Sequence, residues 1–196
     1  MKKLVVGTFL TLDGVMQAPG ESKEDIEGDF KYGGWQMPFF DDDDAGKLID
    51  EQIAATDALL LGRKTYQIFA AYWPFAPEDD PIAKKLNSVP KYVVSTTLDK
   101  VEWNNSTLIK GNIAEEVDKL KQQPGSGFLS VTGSGKLAQT LMQHNLVDEY
   151  VLWIHPLVLG SGKRLFGEGI GPFNLKLTDS KTTGSGIVIL TYHPAK

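Results

Sequence analysis

Three apolar segments of this chain end in the same way, and that repetition constrains the fold more than any other feature. Ala58 to Leu61 runs straight into Gly62-Arg63-Lys64-Thr65, Lys91 to Ser95 into Thr96-Thr97, and Phe128 to Thr132 into Gly133-Ser134-Gly135. The first and third turns open helix-period stretches, one carrying Tyr66, Phe69 and Ala70, the other Leu137, Leu141 and Met142. Strands alternating with helices call for parallel pairing, because a parallel neighbour is reached only through a long crossover. The expected architecture is α/β, a mostly parallel sheet with helices on both faces.

The remaining segments extend that scheme. Leu4 to Leu10 reads as a first core strand, and Glu149 to His155 as another. Asp41 to Asp44 precede the periodic set Leu48, Ile49, Ile53 and Ala54, which puts carboxylates where the helix macrodipole favours them. Asn112 and Glu115 have capping-box spacing and open a helix to about Gln122. Leu175 to Thr183 and Ile187 to Tyr192 alternate about Gly184-Ser185-Gly186, which predicts a C-terminal antiparallel hairpin. Pro74 stops the helix after Thr65, and Pro77 to Pro81 reads as a polar loop. Glu21 to Phe40 is a long irregular stretch rich in aromatics, and such loops are uncommon in a compact domain unless they cover something. No linker or internal repeat interrupts the 196 residues, so one domain over 1–196 is expected.

Composition removes several classes of chemistry. The chain has no cysteine, which excludes disulfides, thiolate metal sites and a cysteine nucleophile. His144, His155 and His193 are too dispersed for a histidine metal site, and no metal is expected. His155, before Pro156, reads as a structural histidine rather than a proton donor. Twenty Lys and Arg against 25 Asp and Glu leave a net charge of −5, unfavourable for nucleic acid or an anionic membrane. The apolar run near the N-terminus is short, contains Gly7 and Thr8 and meets Asp13, so a core strand is expected there rather than a leader. No stretch approaches the ~20 apolar residues that span a bilayer. A cytoplasmic location is the expectation.

In open α/β sheets, ligands lie beyond the carboxyl ends of the strands, where helix N-termini offer unpaired N–H groups. Gly62-Arg63-Lys64-Thr65 offers close backbone approach, two cations and a hydroxyl, although the same residues also fit solvated cations. Ser95 and Thr96 offer hydroxyls at a strand end, which also fit a plain turn. Gly133-Ser134-Gly135 fits a phosphate cradle or a tight packing turn. It is neither GxGxxG nor a P-loop, and Thr132 stands where the GxSxG hydrolase elbow needs its first glycine.

Taken in order, LLLGRKTY, KYVVSTT and LSVTGSGKLAQTL resemble the segments that hold NADPH in the dihydrofolate reductase fold. FLTLDGVMQAPG and IHPLVLGSGKRLF bring the resemblance closest to stand-alone homologues of the reductase half of the riboflavin-pathway deaminase-reductase. The resemblance covers Leu4 to about Phe166. It implies an NADPH-dependent reductase of a small heteroaromatic or ribosylaminopyrimidine-type substrate, acting as a homodimer joined through its sheet or its 175–192 hairpin. Carried over, Gly62, Arg63, Lys64 and Thr65 take the pyrophosphate and 2′-phosphate, with Arg63 the planar partner that suits the 2′-phosphate. Ser95 and Thr96 take the adenosine phosphate, and Gly133, Ser134, Gly135 and Lys136 the pyrophosphate turn.

On the substrate side the resemblance implies Asp13 as the polar and catalytic group. Lys163 and Arg164 would anchor a substrate phosphate, and Trp35 would lid a flat ring by stacking, unless it belongs to a hydrophobic cluster under the loop. The chain departs from dihydrofolate reductases where their first helix carries an acid: the spacing lands near Gly46, with Asp44 and Asp50 on other faces. That departure keeps two alternatives open, an NADP-binding protein without catalysis and a dihydrofolate reductase with a relocated acid.

Overall fold

The computed structural model describes residues 1–167 and 169–195. In chain order the elements are β1 (Leu4–Thr11), α1 (Asp43–Ala54), β2 (Thr56–Gly62), α2 (Arg63–Tyr72), α3 (Pro81–Ser88), β3 (Lys91–Val94) and β4 (Ser106–Ile109). There follow α4 (Ile113–Lys121), β5 (Phe128–Thr132), α5 (Gly135–Gln143), β6 (Glu149–His155), β7 (Leu175–Thr182) and β8 (Val188–Pro194). One eight-stranded sheet runs β4-β3-β2-β5-β1-β6-β8-β7. Pairing is parallel from β4 across to β6, and β8 lies antiparallel to both its neighbours, so the expected C-terminal hairpin is present.

Side-chain alternation along β2 builds both faces of the core. Ala58 and Leu60 join Leu4, Val6, Leu129 and Val131 beneath Val117 of α4 and Leu141 of α5. Leu59 and Leu61 join Val93, Tyr66, Leu86 and Trp103 on the other side. The leucines of β2 are at most 2% exposed, and each contributes roughly 1.5–3 kcal/mol of burial free energy. Burial on both faces is what an all-apolar strand of a parallel sheet requires.

Two elements lie where only connecting chain was expected. The polar loop after Pro77 ends at Asp80, whose carboxylate accepts from the N–H groups of Ile82 and Ala83 and so caps α3 with Pro81 in its first turn. Beyond it β4, a four-residue strand, forms the sheet edge. The acidic run before α1 does act as a cap: Asp42 accepts from Asp44 N and Ala45 N, both at 3.0 Å, and from Ser185 N at 2.8 Å. Asp42 therefore also docks the hairpin turn onto the start of α1.

Candidate functional site

Helix capping separates two N-termini from the rest. Asp42, Asp80 and Asn112 cap α1, α3 and α4 through their side chains, whereas α2 and α5 begin at Gly62 and Ser134 with no side-chain cap. The first amides of a helix have no intrahelical acceptor, so these two ends present unspent donors. They are also joined to each other. Gly62 N donates to Ser134 Oγ at 3.0 Å, and Ser134 N donates to Thr65 Oγ1 at 3.0 Å.

That reciprocal lacing needs an unusual backbone. Gly133 and Ser134 both sit in the left-handed region, at φ 58° and 50°. A Cβ on Gly133 would lie 3.2 Å from Thr65 Oγ1, so glycine lets the β5–α5 turn close onto α2. At Gly135 a Cβ would come within 2.9 Å of Met16 Sδ, which brings the loop after β1 against the same turn.

Arg63 and Lys136 project from these two helix starts, both exposed. Among the described residues neither makes an ion pair, and Arg63 only donates to Gln67 Oε1 at 3.4 Å. Ser95 is buried, and its Oγ accepts from Thr97 N at 3.1 Å and Leu98 N at 3.0 Å, so it organises its own turn, while Thr96 is exposed beside it. Two uncapped helix ends, glycines at their junction and two unpaired cations form a donor set that fits an anionic dinucleotide.

The loops after β1 and β6 are zipped together by Leu12 N to Leu157 O at 2.9 Å and Met16 N to Lys163 O at 2.8 Å. Asp13 is the clasp. Its carboxylate accepts from the Thr11 hydroxyl at 2.6 Å, Leu159 N at 3.2 Å and Gly160 N at 2.8 Å, and Arg164 Nη2 lies 3.5 Å away. The Thr11 hydroxyl foremost, helped by the two backbone amides, holds Asp13 down at about 2. Asp13, expected as the catalytic group, lies here as a carboxylate that accepts from three donors and ties the β1 loop to the β6 loop.

Arg164 and Lys163 are likewise engaged. Arg164 Nε donates to Asp13 O at 2.9 Å. Lys163 donates to Asp25 and to Glu27, and Lys64 pairs with the same two carboxylates. Lys64 of the α2 turn and Lys163 of the β6 loop are thus bridged by a segment of the long loop that sequence reasoning did not single out.

Gln17, 4% exposed, positions that segment: its side chain accepts from Lys163 N at 3.0 Å and donates to Asp25 O at 3.1 Å and Glu27 O at 2.9 Å. The signal in the sequence was one glutamine in an otherwise apolar VMQA stretch, with nothing to say where its amide would reach.

Trp35 is not an exposed lid. It is 6% exposed, packs with Val15, Ala18 and Phe30, and donates its indole N–H to Gln17 O at 2.8 Å. The loop buries Phe30 and Trp35 in a small core of its own, while Tyr32 and Phe40 stay exposed. His155 is sealed beside it, ringed edge-on by Phe9, Trp35 and Phe39, with Nδ1 3.0 Å from Trp153 O and Nε2 without a protein partner. Burial lowers its pKa and favours the neutral imidazole. Among the described residues no group of three or more acidic or histidine side chains could hold a metal ion, and no helix is long and apolar enough to cross a membrane.

Residues 2–189 match the model of the RibD C-terminal domain. The chain belongs to that family. It is a family of reductase-like domains, and an oxidoreductase scaffold follows from membership. YyaP of Bacillus subtilis is 39% identical over 142 residues, 70% of this chain and 73% of that protein. A putative riboflavin biosynthesis protein from Shewanella sp. PV-4 superposes with a TM-score of 0.72 at 22% identity over the whole of both chains. Enterococcus faecalis dihydrofolate reductase, solved with NADP(H), gives 0.63 at 13% identity over 99% of this chain and 97% of that one. These likenesses establish the dihydrofolate reductase-like fold.

Proposed function

We propose that this protein is an NADPH-dependent reductase of a small heteroaromatic or ribosylaminopyrimidine-type compound. The observation that carries the assignment is the pairing of the two uncapped helix starts, α2 and α5, with unpaired Arg63 and Lys136 beside them. Arg63 is assigned to the 2′-phosphate, where a planar guanidinium binds two oxygens at once. The free amides of both helix starts, with Gly62, Gly133 and Gly135, are assigned to the pyrophosphate. Ser95 and Thr96 are assigned to the adenosine side, with Thr96 the exposed hydroxyl.

When bound, the nicotinamide supplies the hydride, here to a C=N or C=O carbon. The protein's part is to hold both reactants and exclude water. Asp13, Thr11 and Arg164 fix the β1 loop, Met16 closes it onto Gly135, and Trp35 keeps the covering loop in place. With Asp13 engaged by Thr11, Leu159 and Gly160 and His155 sealed among aromatic rings, the proton is assigned to solvent. The exposed outer strand β7, with Leu177 48% exposed, is assigned to a homodimer contact in the cytoplasm.

One observation favours a second reading, an NADP-binding protein without catalysis: among the described residues the carboxylates that meet the β1 and β6 loops, Asp13, Asp25 and Glu27, are all engaged by donors or cations. Reduced-nicotinamide absorbance with a panel of pterins, pyrimidines and ribosylamines separates the two. Steady oxidation with one acceptor supports the reductase. Tight NADPH binding without oxidation across the panel transfers the case to the binding protein.

A further inference from the structure

Among the described residues, the three cations that meet the β1 and β6 loops each have a carboxylate partner. Arg164 is paired with Asp13, while Lys163 and Lys64 share Asp25 and Glu27, with Lys163 Nζ 2.5 Å from Glu27 Oε2. On the other side, Arg63 and Lys136 have no carboxylate partner among the described residues. Arg63 and Lys136 are thus left free where the two helix ends meet, while Lys64 of the same α2 start and the loop cations Lys163 and Arg164 are neutralised.

The cancellation is built in rather than incidental. Asp25 and Glu27 belong to the long loop, and Gln17 holds the backbone carbonyls of both residues while accepting from Lys163 N. Side-chain hydrogen bonds, from Lys163 first and Lys64 second, hold Glu27 down at about 2, so it stays charged throughout the neutral range. Partial burial opposes the charge on Lys163, yet its bonds to Asp25 and Glu27 raise its pKa above the ordinary lysine value.

We propose that Asp25 and Glu27, with Asp13, are specificity-determining residues that make the substrate an unphosphorylated, uncharged heteroaromatic or glycosylamine. The proposal rests on the reductase assignment and narrows its substrate class. A phosphoryl group brought to Lys163 meets two carboxylates already in place, and like charges set against each other reject a ligand more effectively than missing contacts do. The anionic end of the cofactor meets no such opposition at Arg63 and Lys136. The resemblance gave Lys163 and Arg164 to a substrate phosphate; on this proposal their carboxylate partners take that place instead.

The test is calorimetric titration of the full chain, with and without saturating NADPH, using ribose 5-phosphate and ribose as probes. Wild type is compared with Glu27→Gln, with Asp25→Asn/Glu27→Gln, and with the latter also carrying Lys163→Ala. The double variant is expected to bind ribose 5-phosphate at least about tenfold more tightly than wild type, and Lys163→Ala to remove that gain. Ribose itself should bind all forms alike. Should the double variant fail to fold, Glu27→Gln alone, at an exposed side chain, carries the comparison in the same direction. Wild type binding ribose 5-phosphate as tightly as the variants overturns the proposal, as does a gain that survives Lys163→Ala. Failure of the reductase assignment is read separately, as absence of NADPH binding by wild type, and leaves the variant comparison intact.

Discussion

Gly133→Ala strikes the junction on which the cofactor assignment depends. At φ 58° an alanine occupies the left-handed region, which costs about 1–2 kcal/mol. Its Cβ also arrives 3.2 Å from Thr65 Oγ1 and 3.4 Å from Cγ2, so Thr65 must retreat and give up its bond to Ser134 N. Losing that bond costs roughly 1 kcal/mol more. The sum, about 2–3 kcal/mol, corresponds to ~4–12 °C in Tm for a chain of this size. Gly160→Ala is the control, because Gly160 has φ 77° with nothing within 4 Å of an added Cβ. It should show the backbone cost alone, about 1–2 kcal/mol. Urea unfolding of both variants, with NADPH titration of each, measures the difference. Gly133→Ala should lose about 1 kcal/mol more than the control and at least about tenfold in NADPH affinity, the control keeping its affinity. Equal stabilities, or an unchanged affinity in Gly133→Ala, would refute the claim that this close approach shapes the site.

Other consequences are local. Asp13 falls from its ordinary 3.8 to about 2 on folding, so its stabilisation is fully present above pH 4 and is lost as pH falls toward 2. Urea midpoints of wild type should approach those of Asp13→Asn across that interval, and parallel curves would contradict it. Lys91, fully buried over the Trp103 ring and donating to the carbonyls of Asn87 and Asn104, is lowered by burial from 10.5 to about 8. The unfolded chain then binds more protons between those values, so wild type should gain stability relative to Lys91→Met as pH rises from 8 to 10, and a loss would contradict it. Gln17→Met abandons three hydrogen bonds at once, and we expect a cost of about 2–3 kcal/mol with faster tryptic cleavage at exposed Lys23 and Lys31. Unchanged cleavage would mean that Gln17 does not hold the loop.

Much of the fold was legible because its signals are local. β5 and β6 fall on the expected residues, since each is an apolar run bounded by a charged or glycine-rich turn. The acidic run Asp41–Asp44 before α1 and the Asn112 cap were visible for the same reason, although which aspartate caps α1 was not. Asp80-Pro81 carried an equally plain start signal for α3, hidden by reading proline only as a loop residue. β4 is four residues long, with Ser and Thr in half of it, and gains its identity from pairing with β3.

The site divides along the same line. The three strand-end turns could be found because glycine and hydroxyl residues mark them. The burial of Trp35, the saturation of Asp13 and the Lys64–Glu27–Lys163 bridge could not, since each joins residues far apart in the chain through one loop's path.

Calorimetric titration with NADPH and NADH, of wild type and Arg63→Ala, bears most directly on the assignment. Micromolar NADPH binding, much weaker NADH binding, and a loss of that preference in Arg63→Ala are the predicted results. Equal affinity for both nucleotides, undisturbed by Arg63→Ala, or no binding of either, would contradict it.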